Sequence, residues 1–313
     1  MEAPVPASPV SQAPAPAPKS SRRVFLIIVS AIAILIIVAV AAYFLQGMKS
    51  NGLMVAEATY ESITVQSVGS SGARAASIPE VSGALGDYAE AGNVKAAIVA
   101  TAEGQEVFLL SDDIVQLTSD GLQKASLALS ADGTMLAYAA LTDPREDGFI
   151  LSTSRWTVRV VDIASGQSRD LGTGFGPEFF VRDGISYLLY TTPTTLAVFN
   201  TQAMKGHQTF FFTPSAIDYT ARVSADGSHF AIRAATTGQF VIYSIDSLEG
   251  TLASTPVQTI DPILTDAQWV DGALYGLTES ADGMESVLKT AVGGEAPEEV
   301  GSFEGAGIYR FIR

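Results

Sequence analysis

The chain has 313 residues and a formal net charge of −15, from 33 acidic and 18 basic residues. This acidic excess argues against nucleic acid as a partner, because phosphate contacts require a surplus of Lys and Arg. With no cysteine and two histidines, the chain offers no disulfide framework, no thiolate or histidine-rich metal centre and no cysteine nucleophile.

Residues 1–23 predict a disordered, proline-rich tail. Six prolines lie within the first 18 residues. Proline lacks the backbone N–H and fixes φ, so the Ala-Pro alternation builds neither a helix nor a packed core. The tail is interpreted as a spacer, and a cytoplasmic ligand for a proline-reading domain is the alternative.

Residues 24–45 predict a single transmembrane helix. The run contains no charged residue, and at ~1.5 Å per residue it covers the ~30 Å hydrocarbon core of a bilayer. Lys19, Arg22 and Arg23 precede it, so the positive-inside rule predicts a cytoplasmic N-terminus and an outer C-terminal part. A cleaved signal peptide is the alternative, but its apolar region is shorter, ~7–15 residues.

Residues 46–85 are interpreted as a stalk or linker to the outer part of the chain. Beyond residue 46 the chain has 15 basic and 32 acidic residues, a net charge of −17. Small and polar residues dominate from Ser67 to Gly86 and favour a linker. The segment from Val55 to Val68 fits either a stalk or strands of an additional, sixth repeat.

From residue 86 to 313 the chain repeats itself. Asp-Gly pairs recur at spacings of 51, 43 and 45 residues, each between apolar runs, and predict hairpin turns. These turn residues are Asp132, Gly133, Asp183, Gly184, Asp226, Gly227, Asp271 and Gly272. After each turn comes an apolar triplet, such as Leu136-Ala137-Tyr138, and then a further strand. Four short strands per repeat are typical of a propeller blade.

These motifs resemble the WD40-like, TolB-type β-propeller repeat. Ser130-Ala131-Asp132-Gly133 and Ser224-Ala225-Asp226-Gly227 match its Ser-Pro-Asp-Gly consensus, with alanine in place of proline. The resemblance covers residues 86–313 and implies an all-β propeller of about five four-stranded blades, with room for a sixth. It implies little about function, because such propellers serve in binding, scaffolding and catalysis.

The C-terminal segment, residues 307–313, has the pattern of an extra first strand. The first strand of the first repeat, around Asp87 to Ala91, is poor in β-forming residues. We therefore expect the C-terminal strand to complete this first blade and close the ring.

No catalytic, cofactor-binding or metal-binding constellation is predicted. His229 follows Asp226 by three residues, but no G-x-S-x-G elbow supplies a nucleophile. A calcium loop requires several carboxylates at alternate positions, and each Asp-Gly turn supplies one. The turn aspartates are therefore interpreted as structural.

The second repeat is longer than the others, and the excess falls between residues 141 and 154. Loops on rigid scaffolds often carry function, and propeller geometry places this connection on the face opposite the Asp-Gly turns. An insertion without a role is the alternative. The candidate interaction loop comprises Asp143, Arg145, Glu146, Asp147 and Phe149.

The sequence thus predicts a plasma-membrane protein whose outer propeller binds a protein or another envelope macromolecule. The alternative is a receptor or enzyme that uses the propeller channel for a carbohydrate or small ligand. The outer part has neither cysteine nor an N-x-[ST] sequon, which favours a bacterial envelope.

We expect protease added to spheroplasts to digest the repeats and to spare a fragment near residues 1–50, because the bilayer shields the anchor and tail. Immunoblotting through an N-terminal tag measures the fragment. A mature N-terminus at Tyr43 or beyond would contradict the uncleaved anchor.

Overall fold

The computed structural model describes strands, turns and one short helix within the compact unit Leu53–Arg313. The described residues are 54–58, 63–67, 73–76, 85–110, 113–143, 153–203, 205–211, 221–234, 237–246, 248, 256–279, 285–294, 296–303 and 308–311. Within these ranges no helix is long and apolar enough to span a bilayer. The predicted tail, residues 1–23, and the predicted transmembrane helix, residues 24–45, lie outside them.

Three strands precede the predicted repeats, and five antiparallel four-stranded sheets follow. The early strands are β1 (Met54–Ala58), β2 (Ile63–Ser67) and β3 (Ala73–Ala76). Blade one contains β4 (Leu85–Ala91), β5 (Val94–Thr101), β6 (Gly104–Leu110) and β7 (Ile114–Gln116). Blade two contains β8 (Lys124–Leu129), β9 (Met135–Leu141), β10 (Trp156–Asp162) and β11 (Ser168–Thr173), with a 3-10 helix at Thr153–Arg155 before β10.

The remaining three blades follow the same order of strands. Blade three contains β12 (Phe175–Arg182), β13 (Ile185–Thr191), β14 (Thr195–Asn200) and β15 (Lys205–Phe211). Blade four contains β16 (Ala221–Val223), β17 (His229–Arg233), β18 (Phe240–Ser244) and β19 (Pro256–Thr259). Blade five contains β20 (Asp266–Val270), β21 (Ala273–Glu279), β22 (Glu285–Ala291) and β23 (Glu298–Phe303). This all-β propeller of four-stranded blades is the predicted fold.

A sixth sheet joins the two ends of the compact unit. Its strand order is β24-β1-β2-β3, where β24 is Ile308–Phe311, and Val55 lies opposite Phe311 in the antiparallel register. Of the two interpretations left open for residues 46–85, strands are present at β1, β2 and β3, which form part of this sixth sheet.

The expected pairing of the C-terminal strand with the first repeat is wrong. In blade one, β4 pairs with β5 over its whole length, from Leu85 to Ala91, despite its weak β-propensity. Tyr88 and Ala89 are buried there, and this burial outweighs the propensity of an isolated strand. The inner position of blade one is thus filled, and β24 completes the sixth sheet instead.

The core lies between neighbouring blades, and the second strand of each blade contributes the largest share of it. The middle residues of the apolar triplets, Ala97, Ala137 and Ala231, are fully buried. At Gly276 an added Cβ would lie 2.3 Å from Leu264 Cδ1, so this position has no room for a side chain. Inner strands of successive blades contact one another from β4 to β8, β12, β16, β20 and β24.

The Asp-Gly pairs form two kinds of turn. Asp183-Gly184 and Asp271-Gly272 are two-residue hairpins in which both residues have positive φ, as in a type I′ turn. Asp132 sits in a longer turn, where its Oδ1 accepts hydrogen bonds from the hydroxyl of Ser130 (2.6 Å) and the backbone N–H of Thr134 (3.1 Å). These hydrogen bonds hold the pKa of Asp132 below its usual value.

Removing residues 308–313 should lower the melting temperature, because it takes the inner strand from the sixth sheet and exposes an edge of β1. Thermal unfolding followed by circular dichroism measures the change. Removing residues 312–313 alone is the control and should leave melting unchanged. Equal melting of both truncations would contradict the role of β24.

Candidate interaction surface

The two ends of each blade carry different connections. The Asp-Gly turns join first to second strands at one end, called here the turn face. Second strands connect to third strands, and blades connect to the next blade, at the opposite end, called the connection face. The connection of blade two runs over residues 142–155, whereas those of blades one and three cover 102–103 and 192–194.

The long connection of blade two is fixed at its base. The backbone N–H groups of Thr142 and Asp143 both donate to the carbonyl oxygen of Arg155, at 3.0 and 3.2 Å. The Nε of Arg155 donates back to the carbonyl oxygen of Asp143 at 2.7 Å. Beneath this base, Trp156 is 4% exposed and meets Phe175 edge-on, with ring centroids 5.1 Å apart. Both ends of the connection are therefore held in place, by these hydrogen bonds and by the packing of Trp156.

Asp143 is thus placed at the base of the candidate interaction loop. Arg145, Glu146, Asp147 and Phe149 lie outside the described residues. The described ends of this connection, Asp143 and Thr153–Arg155, lie at the connection face.

Three inner strands carry a carboxylate at the same position, opposite the third residue of the apolar triplet. Asp87 lies opposite Ile98 in blade one. Glu178 of blade three and Asp266 of blade five occupy the equivalent place. Sequence analysis missed this pattern, although the signal is visible as an acidic residue five positions before the turn residue Gly92, Asp183 or Asp271.

Two of these carboxylates hold the backbone of the next blade. Asp87 Oδ2 accepts from the N–H of Leu127 at 2.9 Å, and Glu178 Oε2 accepts from the N–H of Val223 at 3.0 Å. Such charge-assisted hydrogen bonds are stronger than neutral ones. They fasten the inner strand of blade two to blade one and that of blade four to blade three.

Arg222 of blade four forms the centre of a buried ionic triad. Its guanidinium lies 3.0 Å from Glu178 and 2.7 Å from Asp266, and the residue is 3% exposed. Burial acts to lower the pKa of Arg222, but the two carboxylates outweigh it and raise the pKa. The indole N–H of Trp269 donates to the carbonyl oxygen of Arg222 at 3.1 Å. The triad therefore joins the inner strands of blades three, four and five.

His229 belongs to a turn of the same kind as that at Asp132. Asp226 Oδ1 accepts from the Ser224 hydroxyl (2.7 Å) and from the Ser228 hydroxyl and N–H (2.8 and 3.0 Å). Burial acts to raise the pKa of Asp226, and these hydrogen bonds lower it overall. The His229 Nδ1 lies 2.8 Å from Ser228 Oγ, and its ring stacks on Trp269. Asp132 forms the same turn without a histidine. The hydrogen bonds of Asp226 are therefore explained by the turn itself and require no role for His229.

No group of three or more His, Cys, Asp or Glu side chains suited to hold a metal ion occurs in the described part of the chain. The carboxylates of the inner strands are engaged by backbone N–H groups and by Arg222, as described above.

No protein-family model and no curated protein matches the chain. Among solved structures, a chain of the nidogen/laminin complex is similar over 81% of this chain and 94% of its own length, with a TM-score of 0.53 and 12% identity. TolB from Acinetobacter baumannii is similar over 80% of this chain, with a TM-score of 0.54 and 12% identity. The match spans 64% of the TolB chain. The fold is a TolB-type β-propeller.

Substituting Arg222→Ala should destabilise the propeller by about 3–5 kcal/mol, because Glu178 and Asp266 are left as uncompensated buried charges. Urea unfolding measures the change. Arg159→Ala is the matched control, since Arg159 is 19% exposed and pairs with Asp120 and Asp170. Its cost should be smaller, because Asp120 (34% exposed) and Asp170 (59% exposed) stay in contact with water when the arginine is removed. Similar costs for both variants would contradict the central role of the triad.

Proposed function

We propose that the chain is a single-pass membrane protein whose propeller acts outside the cytoplasm as a binding module for another protein or macromolecule of the cell envelope. The observation that carries the proposal is the long connection of blade two, clamped at its base by Arg155. A loop held at both ends on a rigid sheet loses less conformational entropy when it binds than a free segment does.

The composition of the loop supports a macromolecular partner. Arg145 is of a residue type that often carries much of the binding energy in protein interfaces, and Phe149 is of a type enriched in them. One of the similar solved chains comes from a complex of nidogen and laminin, which is an assembly of proteins. This likeness in fold supports an interaction role for the propeller.

The inner strands favour this proposal over a ligand or substrate in the channel. The carboxylates of Asp87, Glu178 and Asp266 already accept from backbone N–H groups or from Arg222. A ligand that used these groups would have to displace hydrogen bonds that hold blades together. A partner that binds a loop at the connection face would not have to displace these hydrogen bonds.

The proposed location rests on the apolar run of residues 24–45 and the basic residues before it. The N-terminus is cytoplasmic in this proposal, the anchor lies in the plasma membrane, and the acidic remainder of the chain faces the envelope. A net charge of −17 keeps that part away from anionic lipid surfaces.

We expect Arg145→Ala and a Gly-Ser replacement of residues 143–149 to reduce partner recovery from solubilised membranes about tenfold or more, because Arg anchors often contribute about 2 kcal/mol or more. Melting should stay close to wild type, since surface charges contribute about 0–1 kcal/mol to stability. Quantitative co-purification and thermal unfolding measure the two effects.

The matched control is Asp271→Asn on the turn face, where asparagine tolerates the positive φ. It should leave partner recovery unchanged. Unchanged recovery with the Gly-Ser replacement would show that the binding surface lies elsewhere. A collapse of melting would show that the segment is structural.

A further inference from the structure

The outer strand of blade one, β7, leaves one edge of its sheet open. It pairs with β6 on one side only, and all three of its residues are exposed. Ile114 is 39% exposed and Val115 is 45% exposed. An edge strand presents backbone N–H and C=O groups to any extended segment that reaches it, so β7 can accept a further strand.

The other outer strands carry features that oppose such pairing. Charged side chains, proline and β-bulges each protect the edge of a sheet. β3, β11, β15 and β23 contain charged residues, and β19 begins with Pro256. The pairings of β11, β15, β19 and β23 also contain a register shift. Within the described part of the chain, β7 is the one outer strand without charge, proline or register shift.

The register of β7 decides which of its backbone groups face the open edge. The N–H of Leu117 donates to the carbonyl oxygen of Val107 on β6 at 2.8 Å. Along an antiparallel ladder, residues point their backbone groups toward the neighbouring strand and away from it in alternation. The backbone groups of Val115 therefore point to β6, and those of Ile114 and Gln116 point to the open edge.

The two residues that face the open edge match a second copy of the same strand. When two β7 strands run antiparallel about a two-fold axis at Val115, Ile114 of each copy lies opposite Gln116 of the other. Both members of these pairs direct N–H and C=O groups across the axis, so each pair exchanges two hydrogen bonds. Val115 then lies opposite Val115 of the second copy, with the Cα atoms about 4.5 Å apart. The strand is thus self-complementary, as a two-fold interface requires.

We infer that β7 pairs with β7 of a second copy of this chain and joins the two copies of blade one into a continuous sheet. Three residues from each copy bury far less surface than the roughly 1,200–2,000 Å² of a stable interface. The copies are therefore in a monomer–dimer equilibrium. This contact lies at the outer edge of blade one and is independent of the loop proposed above to bind a partner.

Charge distinguishes this occupant from a strand of another protein. Each copy has a formal net charge of −15, so the two copies repel each other and added salt weakens the repulsion. Salt therefore favours the contact between copies. A basic segment from another protein would show the opposite dependence, because salt screens its attraction to the acidic chain.

Disulfide trapping with the full chain in detergent tests the register. The chain has no cysteine, so one introduced cysteine reports one position. The Cα separation expected at Val115 lies within the about 4.4–6.8 Å that a disulfide spans. Under mild oxidation we expect Val115→Cys to form a disulfide-linked homodimer, measured by non-reducing electrophoresis and mass spectrometry, with a yield that rises with added salt.

Two single-cysteine variants are matched controls. Ile114→Cys lies on the other face of β7, and the two copies of this position are diagonal neighbours about 7–8 Å apart, beyond the reach of a disulfide. Val257→Cys lies on β19, where the valine is 42% exposed. At equal protein concentration, each control should give several-fold less homodimer than Val115→Cys.

A proline tests the hydrogen bonds between the copies. The N–H of Gln116 faces the open edge, so Gln116→Pro removes no hydrogen bond within its own sheet. It removes one hydrogen bond from each of the two pairs that join the copies. In the Val115→Cys background it should lower the homodimer yield about tenfold or more, while melting stays close to that of Val115→Cys alone.

Three results would each overturn the inference: equal homodimer yields from positions 114, 115 and 257, an unchanged yield with Gln116→Pro in a variant that melts normally, or a yield at position 115 that falls with added salt. Capture of a different protein at position 115 in native membranes, without the homodimer, would also overturn it and would assign the edge to that protein.

Discussion

The arrangement of the blades depends on the buried ionic triad of Arg222, Glu178 and Asp266. A guanidinium at 3% exposure is stable only where carboxylates surround it, and Glu178 and Asp266 come from the blades on either side. The triad therefore makes directional contacts between sheets, whereas the burial of apolar side chains has no preferred direction. An alternative order of blades would bury an unpaired arginine and two unpaired acids, so the triad specifies which inner strands are neighbours.

Carboxylates of the inner strands also bind the backbone of the neighbouring blade. Asp87 and Glu178 reach N–H groups of the following blade, at Leu127 and Val223, that point away from the hydrogen bonds of their own sheet. Leaving a buried N–H unsatisfied costs about 1–3 kcal/mol, so these carboxylates remove a penalty at the places where the sheets meet. The binding loop proposed above belongs instead to a connection between strands.

Local features of the fold were predictable from the sequence, and long-range ones were not. The hairpins at Asp183 and Asp271 follow from a dipeptide that tolerates positive φ, and the longer turn at Asp132 follows from Ser130 two residues before it. The sixth sheet needs β1 to meet β24 across almost the whole repeat region, and no local pattern encodes such a pairing. Weak β-propensity at β4 pointed to the wrong partner, because burial of Tyr88 decides that strand.

Part of the candidate site was likewise predictable from the sequence, and part of it was not. The excess length of blade two and its place on the connection face are visible in the spacing of the turns. Arg155, which clamps the base of that loop, is not, because its contact with Asp143 depends on the register of two strands. The triad was not predictable either. Arg222 is the one charged residue of the short strand β16, and its partners lie 44 residues before and after it.

The sixth sheet has a consequence for the period in which the protein is being synthesised. Its strands β1 to β3 are synthesised before the five blades, whereas β24 is synthesised after them. Until β24 has been synthesised, one edge of β1 has no partner, and an open edge invites pairing with other chains. The sixth sheet is complete only once β24 has left the ribosome, so synthesis of this strand ends the period in which the edge of β1 is open.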